Sequence, residues 1–311
     1  MPKLAEQRCL VMGGSGFLGT NLCRALAGRA REVRAFSRHP VEVNNVTCVQ
    51  GDFAERNDVM GAVEGIDTVF HLISTNVPAT SNLDLLGDAS QNILPSIQLL
   101  DACRIHKVAR VVFVSSGGTV YGEVENLPIP ESHTLAPISG YGICKLAIER
   151  YLHLYEKMHG IVGITLRVSN PYGPFQEAKK KQGVMGHFIS SGLRGQAIEI
   201  WGDGSVVRDY IYIDDVVEGL MLAAEYTGQR RTFNVGSGKG YSLNEIIAAV
   251  SRSLGINLDV RYEASRAVDI SKNILDCSLA AQELGWRGRY DLATGIDMTV
   301  AWFRDHAQPK I

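Results

Sequence analysis

Residues 9–19 read CLVMGGSGFLG, a short apolar run that breaks into glycines and then enters a helical pattern. Gly13, Gly16 and Gly19 stand three residues apart, in a GxxGxxG frame. Glycine allows a tight turn and lets the backbone come close to a pyrophosphate. The helix that follows then turns its positive end toward that negative charge. Glycines also close ordinary turns, so the meaning of this stretch depends on what surrounds it.

Outward from it, apolar runs recur with strand character: EVRAFS (32–37), VTCVQGD (46–52), DTVFHLIS (67–74), RVVFVSS (110–116) and GITLRVSN (163–170). Between them apolar residues fall at helical spacing, as in Leu18–Leu22–Leu26 and Ile93–Ile97–Leu100. Continuous apolar strands alternating with helices predict an α/β fold, a doubly wound parallel sheet covered on both faces. After Asn170 the rhythm breaks. A loop-rich stretch with lysines at 179–181 precedes a helical segment near 184–194 and a short strand at AIEIW. RDYIYIDD then leads into an apolar helix (Val216 to Ala224), and TFNVGSG and LDVRY read as further short strands. The expected organisation is a dinucleotide-binding domain over 1–170 and a smaller α/β substrate lobe over 171–311. Segments near 208–236 return to the first domain.

Composition narrows the function classes. The chain has 311 residues, 45% hydrophobic and 21% charged, with a net charge of −2. Such a charge draws it neither to nucleic acid nor to acidic membranes. No apolar run reaches the length of a membrane span, and the polar start lacks an export signal. Six scattered cysteines read as reduced core thiols, and the eight histidines form no HExxH pattern, so no metal site is expected. The expected location is the cytoplasm.

Two further segments bear on the chemistry. Where an acidic residue would grip the ribose of NAD, the second strand ends in Ser37 and Arg38. Arg38 meets the 2′-phosphate of NADP, stacks on the adenine or sits in solvent. Asp52 is either a partner of the adenine amino group or a strand-end turn residue. The segment YGICK puts Tyr141 and Lys145 four apart, on one face of a helix. A cation close to a phenol lowers its pKa by roughly 1–3 units, which brings Tyr141 toward acid/base use.

Taken in order, GGSGFLG, SSGGTVYG, YGICK, NPYGP and RDYIYIDD resemble the extended short-chain dehydrogenase/reductases, with the closest similarity to the UDP-sugar 4-epimerases. The resemblance covers nearly the whole chain. It implies a Rossmann domain with a nucleotide-sugar lobe, a tightly held NAD, and often a homodimer joined through a helix bundle. It places Gly13, Gly16, Phe17, Leu18, Gly19, Ser37, Arg38, Asp52, Phe53, Leu72, Asn92, Tyr141 and Lys145 at the cofactor. Asn170, Arg208, Arg266 and Asp269 would hold the diphosphate and uridine ribose, with Trp201 among the substrate contacts.

The departures are informative. Gly117 falls where the galactose epimerases carry their catalytic serine. The hydroxyls nearby are Ser115, Ser116 and Thr119, of which Ser116 is the first choice and Thr119 the second. Related dehydratases carry Asp and Glu before VYG, where this chain has Gly118 and Thr119, so elimination of water is disfavoured. Asn273 stands where hexose-only epimerases carry a bulky tyrosine, which would leave room for an N-acetyl group. The expected activity is 4-epimerisation of UDP-N-acetylglucosamine and UDP-N-acetylgalactosamine, and of UDP-glucose and UDP-galactose as further substrates, in surface polysaccharide synthesis. The alternatives are an NADP-dependent reductase of a nucleotide-linked sugar and a non-catalytic dinucleotide sensor.

Overall fold

The computed structural model describes residues 3–76, 78–176, 183–264 and 270–306. In chain order the elements are β1 (Arg8–Met12), α1 (Phe17–Leu26), β2 (Glu32–Ser37), β3 (Thr47–Gln50), α2 (Arg56–Val63), β4 (Thr68–His71), α3 (Pro78–Ser81), α4 (Leu85–Ile105), β5 (Arg110–Ser116), α5 (Gly140–His159) and β6 (Val162–Val168). There follow β7 (Asn170–Tyr172), α6 (Val184–Arg194), β8 (Ile198–Trp201), β9 (Val207–Tyr212), α7 (Ile213–Glu225), β10 (Thr232–Val235), β11 (Gly240–Ser242), α8 (Leu243–Leu254), β12 (Val260–Glu263), β13 (Lys272–Asn273), α9 (Ser278–Glu283) and α10 (Leu292–His306).

Seven parallel strands form the main sheet, in the order β10-β6-β5-β4-β1-β2-β3. The strand order reverses between β1 and β4, so their carboxyl ends open a crevice at the glycine turn. Along β1, Cys9 and Val11 pack on one face, while Leu10 and Met12 pack on the other. Helices α2, α4 and α5 cover the second face; α1 and α7 cover the first. Burial on both faces explains why the strand runs are continuously apolar instead of alternating.

The small sheet joins β11, β9 and β13, with β7 paired to the far half of β9, and β8 pairs with β12 apart from it. Within 208–236, α7 packs against α1 and the main sheet, and β10 becomes that sheet's edge strand beside β6. Strand β9 stays in the small sheet. Its Asp209, fully buried, accepts from the Ser237 and Gly238 N–H groups at 2.7 and 3.1 Å and from the Leu275 N–H at 3.3 Å. One carboxylate therefore ties β9 to the chain after β10 and to the chain after β13. No helix of the described residues is long and apolar enough to cross a membrane.

Candidate active site

The glycine turn is dictated by its own backbone. Gly13 adopts φ 90°, in the left-handed region, and its N–H reaches the Phe36 carbonyl at 2.9 Å. A Cβ on Gly19 would lie 2.0 Å from the Gly13 carbonyl oxygen, so only glycine lets α1 sit this close to β1. Gly16 caps the start of α1 without a side chain, and among the described residues no side chain satisfies the first N–H groups of the helix, at Phe17 and Leu18. Such a cradle fits a pyrophosphate, the group a dinucleotide would place there.

The edge of that cradle departs from an NAD-type ribose grip. Ser37 turns its hydroxyl to the His39 carbonyl, and Arg38 is exposed with its own carbonyl taken by Gln50 at 2.9 Å. Asp52 accepts from the Ala54 N–H at 2.9 Å, the behaviour of a strand-end turn residue. Phe53 is buried against the His71 ring, 5.3 Å between centroids. Leu72 donates its N–H to the Met12 carbonyl at 3.1 Å. Asn92 spends its amide on the chain after β4, accepting from the Thr75 N–H at 3.0 Å and donating to the Thr75 hydroxyl at 2.8 Å.

Tyr141 and Lys145 do share a face of α5. Ser139 caps the helix, accepting from the Gly142 N–H at 3.2 Å. The flanking glycines allow close docking of this first turn. A Cβ on Gly140 would lie 2.6 Å from the Ser81 hydroxyl, and one on Gly142 would lie 2.8 Å from the Thr119 carbonyl. Lys145 is 4% exposed; its Nζ donates to the Val114 carbonyl at 2.9 Å and lies 5.6 Å from the centre of the Tyr141 ring. Burial pulls this lysine down to about 8. The Tyr141 phenol moves opposite to expectation. Burial pushes it up to about 12, a hydrogen bond with Ser74 works against that, and the charge of Asp88 adds to it. A desolvated lysine already bonded to a carbonyl does not offset those two effects.

The three candidate hydroxyls are separated by what they touch. Ser115 donates to Glu149 at 2.5 Å, inside a buried network in which Arg167 grips Glu149 at 2.7 and 3.1 Å and reaches the Tyr121 hydroxyl at 3.1 Å. Ser116, its neighbour on the opposite face of β5, is half-buried and makes no side-chain hydrogen bond among the described residues. Thr119 has a buried hydroxyl with no hydrogen-bond partner among the described residues. Gly117 has no room for a side chain at all: a Cβ there would lie 2.5 Å from a Leu275 methyl and 3.0 Å from the Arg167 carbonyl oxygen.

On the substrate side, the Asn170 amide is used by the Asp209 carbonyl at 2.9 Å, and Arg208 reaches the Val207 carbonyl at 3.0 Å. Trp201 closes β8 and is 45% exposed. Asn273 pairs with Arg208 in the small sheet and is buried, its amide donating to the Gly117 carbonyl at 3.1 Å. Arg266 and Asp269 lie outside the described residues, as does the lysine run 179–181.

Two residues that the motifs did not flag also stand here. His71 is buried between Phe53 and Phe113, bonded to the Ser96 hydroxyl at 2.8 Å, and driven down to about 3 by burial and then by Lys145. Asp88, on α4, lines the same enclosure as Ser74, Asn92, Tyr141, Cys144 and Lys145. The local signal for His71 is a polar residue closing a buried apolar strand, and for Asp88 a buried carboxylate on a helix.

Comparison with known proteins agrees with this geometry. The model of the NAD dependent epimerase/dehydratase family matches residues 9–236. A UDP-glucose 4-epimerase of Mycolicibacterium smegmatis is 32% identical over 97% of this chain and 100% of its own. A dTDP-4-dehydro-6-deoxyglucose reductase of Escherichia coli is 30% identical over 95% of this chain and 97% of its own. Among solved structures, UDP-glucose 4-epimerase with UDP-glucose from Thermotoga maritima superposes with a TM-score of 0.93 at 33% identity, covering 97% of this chain and 100% of that one. With its glycine cradle at the strand-order reversal and its Tyr–Lys pair on α5, this chain belongs to the NAD dependent epimerase/dehydratase family, the extended short-chain dehydrogenase/reductase enzymes.

Proposed function

We propose that the protein is an NAD-dependent 4-epimerase of UDP-hexoses, working through a transient 4-keto sugar. The observation that carries the reading is the Tyr141–Lys145 pair on one face of α5, at the carboxyl edge of the sheet that bears the glycine cradle. Tyr141 takes the proton of the C4 hydroxyl and later returns it. Lys145, anchored on the Val114 carbonyl, places a cation beside the phenol and stabilises its anion. The unbonded hydroxyl of Ser116 holds the sugar oxygen and relays its proton; Thr119 is the second choice. A bound nicotinamide would accept hydride from C4 and return it to the opposite face, with no net redox change. Gly118 and Thr119 offer no carboxyl group, so the chain has no acid at that position for a dehydration.

Asn273 supports the acetamido sugars, because an asparagine packed on the Gly117 carbonyl leaves more space than a tyrosine would. By the family resemblance, Arg208, Arg266 and Asp269 hold the diphosphate and ribose. The test is a UDP-sugar panel assayed for epimer formation, with Tyr141→Phe as control. The variant should lose at least about 100-fold in kcat, in line with removal of a general acid/base. Full turnover by that variant would refute the mechanism.

A second reading, net reduction of a nucleotide-linked sugar with NADPH, draws on the exposed Arg38 and on the similarity to the Escherichia coli reductase. Loss of reduced-nicotinamide absorbance in step with substrate would favour it over epimerisation. We also read the chain as a homodimer. Leu86 and Leu94 on α4, and Ile143, Leu154 and Met158 on α5, are exposed on two helices packed side by side. An apolar face of this kind suits a two-fold contact with a second copy. Ile143→Glu combined with Met158→Glu should convert the dimer to monomer in light scattering.

A further inference from the structure

Asp88 is 1% exposed, and its carboxylate gathers side-chain donors from three directions. Asn76 donates at 3.0 Å and Ser81 through its hydroxyl, both from the chain after β4. Asn92 donates at 2.8 Å from the next turn of α4, and the Cys144 thiol at 3.6 Å from the first turn of α5. No ion pair among the described residues neutralises it. Two oxygens met by four donors suit the anion, since a protonated acid would point an O–H at one of them.

We propose that Asp88 is a positioning residue of the acid/base centre: its carboxylate clamps the chain after β4 onto the first turn of α5 and sets the field at Tyr141 and Lys145. The clamp has a second fastening nearby, the Gly140 N–H to Asn82 at 2.9 Å. Both ends carry groups of the site: the clamped chain bears Ser74, which lines the same enclosure as Tyr141, and α5 bears Tyr141 and Lys145 themselves. The charged or titratable groups around Asp88 are Tyr141, Cys144 and Lys145 on α5, with Asp84 one turn earlier on α4. Glu149 on α5 and His71 on β4 also couple electrostatically to Lys145. A negative charge here works in one sense on both members of the pair: it holds the proton on the Tyr141 phenol and keeps Lys145 cationic against its burial.

The inference rests on the proposed roles of Tyr141 and Lys145, and its test has a readout independent of turnover. In the full-length protein with carbon-13 lysine labels, Lys145, assigned by its loss in Lys145→Ala, should titrate about 0.5–1 pH unit lower in Asp88→Asn. The alkaline fall in kcat should move by the same amount, with KM for the UDP-sugar within about threefold. Ser81→Ala provides a sign check, and decides the matter alone if Asp88→Asn does not fold. Stripping one donor leaves more negative charge on the carboxylate, so Lys145 should titrate higher. A purely structural Asp88 predicts a lower melting temperature with the Lys145 titration unmoved in both variants, and that result would overturn the proposal. If Tyr141→Phe kept full activity while Lys145 still shifted, the mechanism would fail and the field effect would stand.

Discussion

The chain makes two glycine-rich turns at the carboxyl edge of one sheet, and they need their glycines for different reasons. In the turn after β1, Gly19 is required by Gly13, six residues away, whose carbonyl a Cβ would strike at 2.0 Å. In the turn after β5, Gly117 is required by a Leu275 methyl and the Arg167 carbonyl, from β6 and from the small-sheet region. The first turn is closed by its own neighbours along the chain. The second is a junction, where the small-sheet region presses on the end of β5. Asp209 seats Leu275 through its N–H, and Asn273 holds the Gly117 carbonyl, so the junction is fastened on both sides.

Substitution at each turn can break this contrast. Gly19→Ala should have the largest effect, because the added methyl meets backbone that cannot rotate away. Loss of dinucleotide binding is expected, with destabilisation of about 3 kcal/mol, at the upper end for an overpacked site. Calorimetric titration with NAD and a denaturant midpoint would measure both. At the second turn, Gly117→Ser would put back the hydroxyl that related epimerases carry, yet should lower activity and cost about 1–2 kcal/mol, since Leu275 can yield only in part. A gain in kcat would show instead that the junction has room and that the missing hydroxyl limits this enzyme. The smallest change is expected from Gly118→Ala. Its Cβ would meet only the Ser116 hydroxyl, at 3.9 Å, so stability should hold within about 0.5 kcal/mol.

Much of the fold was legible because its signals are local. Continuous apolar strands report burial on both faces, and Leu18–Leu22–Leu26 reports a helix packed on one side. The loop-rich stretch after Asn170 announced a change of architecture, but not that β9 would stay in the small sheet while β10 crosses back beside β6. Pairing partners of short strands depend on contacts far along the chain, which periodicity does not carry. The site divides in the same way. Tyr141 and Lys145 are four apart on a helix, and that spacing alone places them together. Asn92, Asn170 and Asn273 look like ligand contacts in a motif, yet each spends its amide on a backbone or hydroxyl group of another segment.

By itself, the sequence determined the parallel α/β frame, the glycine turn at Gly13–Gly19 and the placing of Tyr141 and Lys145 on one helix face, since each depends on spacing within a few residues. Only the tertiary structure decided which serine is free, why position 117 must be glycine, and which carboxylate faces the pair. Ser115 is taken by Glu149, Gly117 is blocked by Leu275, and Asp88 is brought to Tyr141 from another helix. These are steric and electrostatic facts about residues tens to hundreds of positions apart. Close packing creates them, and no local pattern records them.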